Sequence, residues 1–167
     1  MSRLSIPVHA PEGYRAVQAL EATVREALDP VLVDLVFLRV SQMNGCAYCI
    51  DLHSGGLEAL GLPWRVINAV QAWRESAWFS PRERAALRIA EELTAPGADP
   101  ETAPDRLGIA DPSWAEAREH LSDAEVANVV LAAGTMALLN RIGVASRLRP
   151  GGPTPERDGV ARESLAG

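Results

Sequence analysis

The sequence predicts an all-α, single-domain protein, and three observations carry that reading. Apolar residues recur at helical rather than alternating spacing along most of the chain. Two serine-led capping boxes mark helix starts, and no convincing pair of strands is evident. The 167 residues suffice for one domain with a sizeable core, and a composition of 47% hydrophobic and 23% charged residues is that of a globular chain.

Taken in order, residues 1–10 read as an irregular arm. Pro11 opens a helix on which Val17, Leu20, Val24 and Leu28 share a face, and Asp29-Pro30 breaks it. The run Val31 to Val40 is apolar and rich enough in β-branched residues for a buried strand, but helices on both sides and the lack of partner strands favour a helix. Asn44-Gly45 signals a turn. The next helix is predicted from about Cys46 to Leu60, stopping at Gly61 with Pro63 just beyond. Pro63 to Ser76 carries Val66, Ile67, Val70 and Trp73 in an amphipathic pattern.

Ser80-Pro81-Arg82-Glu83 has the form of a capping box with proline at the first helical position, followed by Ala86, Leu87, Ala90 and Leu93. Glu83 is thus explained as a cap rather than an acid catalyst. Residues 95–112, with their prolines and glycines, read as a loop, and a short helix is expected around Trp114 to Glu119. Ser122-Asp123-Ala124-Glu125 is a second capping box. It opens a segment from Val126 to about Leu148, apolar over much of its surface and therefore central or packed on another subunit. The division is an arm (1–10), a helical domain (11–148) and a flexible tail (149–167).

A net charge of −6 gives little electrostatic reason to bind nucleic acid or anionic membranes, and no basic run is interleaved with aromatics. No stretch reads as the roughly 20 apolar residues that span a bilayer, and Met1 to Pro7 lacks a signal-peptide core. The expected location is cytoplasmic, with neither nucleic acid nor membrane as partner.

The chemistry concentrates in Cys46, Cys49 and His53. At about 100° per helical residue these three fall within an arc of roughly 60°. A redox dithiol needs one thiol ionised near neutral pH, a second near enough to resolve its oxidised form, and a base to move protons. A helix N-terminus favours the thiolate, and His53 lies one turn beyond Cys49. A zinc site is the sharper rival, with Cys46, Cys49 and His53 as ligands and His120 or Asp34 as the fourth. A pair of inert buried cysteines is the blander one. Trp64, Trp73, Trp78 and Trp114 read as core or interface aromatics. Tyr48 should point away from the cysteines and serve packing. His9 and His120 read as surface groups, and Arg39 and Arg141 as partners of acids or parts of a subunit contact.

The stretch from Asp34 through Leu38-Arg39-Val40-Ser41-Gln42-Met43-Asn44-Gly45-Cys46-Ala47-Tyr48-Cys49 to His53 resembles the AhpD-like alkylhydroperoxidase and carboxymuconolactone decarboxylase family. Weaker similarity runs through Phe79 to Leu87 and from His120 to Arg141. The resemblance implies a helical bundle assembled as a homo-oligomer, trimer or hexamer. It implies thiol-dependent reduction of a hydroperoxide, with no cofactor and no metal, and recycling by a dithiol or a lipoylated protein. It implies that Cys49 becomes the sulfenic acid, that Cys46 closes the disulfide, and that His53 relays protons. The family's relay glutamate falls at Asp34, whose side chain is shorter by one methylene, about 1.5 Å of reach. Decarboxylase activity is disfavoured, because decarboxylase members lack the cysteine pair. A general disulfide reductase or redox sensor uses the same dithiol without peroxide.

Overall fold

The computed structural model describes residues 4–95 and 108–151, and every regular element among them is helical. The helices are α1 (Ile6–His9), α2 (Pro11–Ala27), α3 (Pro30–Asn44), α4 (Ala47–Ala59), α5 (Trp64–Ala69), α6 (Pro81–Thr94), α7 (Asp111–His120) and α8 (Asp123–Ser146). A 3-10 turn, Val70–Glu75, follows α5 directly.

The dipeptide that ends α2 also starts α3. The Asp29 carboxylate accepts from the Val31 and Leu32 amides at 3.0 and 3.1 Å, and Pro30 sits in the first turn, where a missing N–H costs nothing. The β-branched run is helical because α3 is the hub: α4, α6 and α8 all pack on it. Its residues Leu32 to Leu38 are buried on every side, so tertiary burial overrides their modest helix propensity.

Two hydrophobic clusters flank the hub. On one side Val33, Val36, Phe37 and Val40 meet Val24 of α2, Ile89 of α6 and Val129, Ala133 and Met136 of α8. On the other, Leu35 and Leu38 meet Leu57 of α4, Ile67, Val70, Trp73, Phe79 and Leu87. Both predicted capping boxes are present. Ser80 and Glu83 satisfy one another's amides at the start of α6, and Ser122 and Glu125 do so at α8.

The structure departs from the expected elements in several places. The arm holds a helical turn, α1, begun by Pro7 in its first turn. The amphipathic stretch 63–76 is not one helix. It breaks at Ala72 (φ −126°, ψ 33°), and Arg84 of α6 donates to the Trp73 and Ser76 carbonyls at 3.0 Å, satisfying acceptors that a continuous helix would occupy. The buried Glu91 fastens the same turn to the hub. Its carboxylate accepts from Trp73 Nε1 at 2.8 Å, Arg39 Nε at 2.5 Å and Arg74 Nη1. The acid expected to partner Arg39 is therefore Glu91, whereas Arg141 donates to Asn44 Oδ1 at 2.9 Å.

The helix expected at 114–119 begins earlier, at Asp111. Glu92 of α6 accepts from the Ala110 amide (2.9 Å) and the Ser113 hydroxyl (2.6 Å) and so caps it from across the fold. The rest of the expected loop, residues 96–107, and the tail from 152 lie outside the described residues. Of the four tryptophans only Trp73 is core; Trp64, Trp78 and Trp114 are exposed on this chain. Helix α8 is long and apolar enough to cross a membrane by length and composition (24 residues, mean hydropathy 1.5), contrary to the expectation that no stretch would be. Here it packs against α2, α3 and α6.

Candidate active site

The site forms where α3 stops and α4 starts. Gly45 takes the left-handed conformation (φ 66°) that ends α3, and the Cys46 amide donates back to the Ser41 carbonyl at 3.1 Å. This return corrects the expected helix start. Cys46 is extended backbone (φ −88°, ψ 91°) and stands at the N-cap, not in the first turn. Its carbonyl still accepts from the Ile50 amide at 2.9 Å. Cys49 is the third helical residue. Both sulfurs thus sit at the end of α4 where unpaired N–H groups and the helix dipole favour negative charge.

Cys46 and Cys49 are joined as a disulfide, with Cα atoms 5.3 Å apart. They are 2% and 5% exposed, so only a small reactant meets the sulfurs without movement of the surrounding chain. The backbone of α8 passes directly over them. A Cβ placed on Gly143 would stand 3.0 Å from Cys46 Sγ and 3.7 Å from Cys49 Sγ.

His53 is buried one turn beyond Cys49 on the same helix. Its Nδ1 lies 3.0 Å from Asp34 Oδ1. The shortened acid therefore reaches the imidazole directly, with no bridging water. Close helix packing makes up the missing methylene. Asp34 Oδ2 lies where a Cβ on Gly56 of α4 would stand 2.9 Å away, so the absence of a side chain at Gly56 admits the carboxylate. Burial raises the Asp34 pKa, but hydrogen bonds from His53 and Arg25 and the charges of Arg25 and His53 outweigh it and hold the carboxyl below its ordinary value. An ionised Asp34 makes Nδ1–H the donor and leaves Nε2 as the proton acceptor.

The sequence reading missed Arg25. Its Nη2 donates to the same Asp34 Oδ1 at 3.0 Å, and its Nε to Glu21 Oε1 at 3.1 Å. The guanidinium lies 4.9 Å from the Phe37 ring centroid, and Phe37 in turn lies 5.1 Å from the His53 ring. The only signal for Arg25 in the sequence is an i, i+4 pair with Glu21, which any solvated helix face carries.

The rival zinc set does not assemble. His120 ends α7, which packs on α6 and α8 and is exposed there, while Asp34 is committed to His53 and Arg25. Among the described residues no group of three or more His, Cys, Asp or Glu side chains is arranged to hold a metal ion. His9 is exposed. Tyr48, between the cysteines, is half-buried and packs against the core. Behind Cys46, Asn140 of α8 donates to Ser41 Oγ at 3.0 Å and accepts from Asn44 Nδ2 at 3.1 Å, fixing the α3–α4 corner against α8.

Comparison with known proteins bears on the family and the fold. The model of the carboxymuconolactone decarboxylase family matches residues 11–92, which contain all four predicted site residues. The uncharacterised protein YdfG of Bacillus subtilis is 33% identical over 144 residues, covering 86% of this chain and 92% of its own. A crystal structure from Agrobacterium tumefaciens, of a protein of unknown function described as a candidate AhpD antioxidant-defence protein, superposes with a TM-score of 0.82. It is 31% identical and covers 92% of this chain and 100% of its own. The AhpD-core structure of a peroxidase-related protein from Ralstonia eutropha shares the fold at a TM-score of 0.73 and 21% identity, over 87% of this chain and 74% of its own. With its helical architecture and adjacent Cys-x-x-Cys pair, this chain belongs to the carboxymuconolactone decarboxylase family and has the AhpD-like fold.

Proposed function

We propose that the protein is a thiol-dependent peroxidase that reduces hydroperoxides through Cys49 and Cys46. The observation that carries this reading is the grouping, at one helix N-terminus, of a buried disulfide-forming pair with a histidine held by an ionised carboxylate. Burial of both sulfurs favours a small oxidant over a folded protein as substrate. It also favours a thin dithiol, such as a lipoyl arm, as reductant.

In the proposed cycle His53 takes the Cys49 proton through Nε2, and the thiolate attacks the distal oxygen of the hydroperoxide. The O–O bond breaks, Cys49 becomes the sulfenic acid, and the departing alkoxide takes the proton from His53 and leaves as alcohol. Cys46 then attacks the Cys49 sulfur. The S–O bond breaks, hydroxide leaves with the Cys46 proton as water, and the disulfide forms. A dithiol reductant returns two electrons and two protons. Assembly as a trimer or hexamer belongs to the same proposal, and Leu131 and Leu138 on the outer face of α8 are exposed on the single chain.

Peroxide consumption with a regenerating dithiol tests the reading. Cys49→Ser is expected to abolish turnover. Cys46→Ser is expected to stop after one equivalent, with a sulfenic acid on Cys49 that a sulfenic-acid-specific reagent traps. Wild-type consumption by Cys49→Ser would overturn the assignment. Reduction of disulfides without any peroxide turnover would favour a disulfide reductase instead.

A further inference from the structure

We infer that Arg25 is a positioning residue for the His53 proton relay: by sharing Asp34 Oδ1 with His53 it holds the carboxylate that orients the imidazole and lessens that carboxylate's pull on a second ring proton. The inference rests on the thiol chemistry proposed above and adds a component from a different helix.

Two donors converge on one oxygen. Arg25 Nη2 and His53 Nδ1 each lie 3.0 Å from Asp34 Oδ1. A buried carboxylate facing only an imidazole would draw a proton onto it, because the ion pair is the cheapest way to compensate the charge. A permanent guanidinium on the same atom meets part of that demand, so the pull on a second imidazole proton is weaker. Arg25 is itself held in place. Glu21 turns its Nε, and the Phe37 ring lies beneath its plane, the same ring that packs beside His53.

Among the described residues, the other neighbours of His53 bring no competing charge. Helix α4 packs against α3, α5 and α8. From α3 the site receives Asp34, while Arg39 is occupied by Glu91. The buried residue of α5 is Ile67, and those of α8 include no titratable side chain. On α4 itself the facing groups are Cys49 and, at its cap, Cys46. Arg25 and Glu21 from α2 complete the set.

The sign follows. Removing the Arg25 charge leaves Asp34 with His53 as its one cationic partner, so imidazolium is favoured and His53 loses its proton at higher pH. The chain has three histidines, of which His9 and His120 are exposed, so His53 can be followed by NMR titration of the disulfide form without any turnover. Arg25→Gln is expected to raise the His53 midpoint by about one pH unit. Arg25→Lys, which keeps the charge, is expected to stay near wild type. In the reduced protein the acid limb of the peroxide-reaction rate should move upward by the same amount in Arg25→Gln. An unmoved His53 midpoint in Arg25→Gln, or an Arg25→Lys that behaves like Arg25→Gln, overturns the inference. A shifted midpoint in a protein that consumes no peroxide supports the inference and sinks the proposed function instead.

Discussion

Asp34 shows how a single methylene is absorbed. A relay needs heavy atoms within about 2.6–3.2 Å, and the shorter acid satisfies this at 3.0 Å. Asp34→Asn keeps the shape but removes the charge that fixes His53 Nδ1 as donor, and it leaves the half-buried Arg25 with Glu21 as its remaining anion. Peroxide reduction is expected to fall by about 10²-fold, within the range assigned to positioned proton transfer. Steady-state rates at saturating reductant check this, and an unchanged rate would remove Asp34 from the mechanism. Cys46, Cys49 and His53 were legible because they recur at three- and four-residue intervals, and one helix end displays such spacing directly. As a relay acid, Asp34 was legible only through the family resemblance. Arg25 was not, because it reaches the site by α2 folding back on α3 across the Asp29-Pro30 corner, and no local pattern encodes that approach.

At the scale of elements, α4 carries two adjacent glycines in its interior, a choice that helix propensity alone disfavours. Nothing lies within 4 Å of a Cβ on Gly55, whereas one on Gly56 would meet Asp34 Oδ2 at 2.9 Å. The pair therefore separates propensity from packing. Gly55→Ala is expected to stabilise the protein by about 0.5–1 kcal/mol. Gly56→Ala is expected to displace the Asp34 carboxylate and break its bond to His53, so any gain in propensity is lost to overpacking of about 1–3 kcal/mol. Thermal unfolding compares the two, and loss of the hydrogen-bonded His53 Nδ1 proton signal reports the displacement. Equal stabilisation by both would contradict the close approach. Element positions were legible wherever a cap or proline punctuates the chain, as at Pro11, Ser80 and Ser122. They were less so where distant side chains decide: the break at Ala72 depends on Arg84, and the start of α7 depends on Glu92, each reaching across from α6.

At the scale of the whole molecule, the apolar runs marked the segment of α3 as a helix and that of α8 as central or packed on another subunit, but that α3 is the hub and which helices cross it are set by contacts far apart in sequence. Carboxylates link those helices. Asp34 joins α3 to Arg25 of α2 and His53 of α4, and Glu125 of α8 accepts from Arg82 of α6 at 2.5 Å. The Glu125 pKa is lowered from 4.5 to about 2 by that bond and by the amide and hydroxyl of Ser122. For both acids the folded value lies below the unfolded one, so over the acid range the unfolded chain binds more protons and stability rises with pH. Their contribution is complete above the ordinary carboxylate values. It is lost as pH falls from 4.5 towards about 2, the interval set by Glu125. Thermal unfolding is therefore expected to show a falling Tm across that interval in a single transition, since both links tie helices into one core. Glu125→Gln should lower the Tm at neutral pH and flatten the acid slope, because its neutral amide holds Arg82 equally weakly at every pH. An acid slope in Glu125→Gln as steep as that of wild type would mean that the α6–α8 link does not set the acid limit.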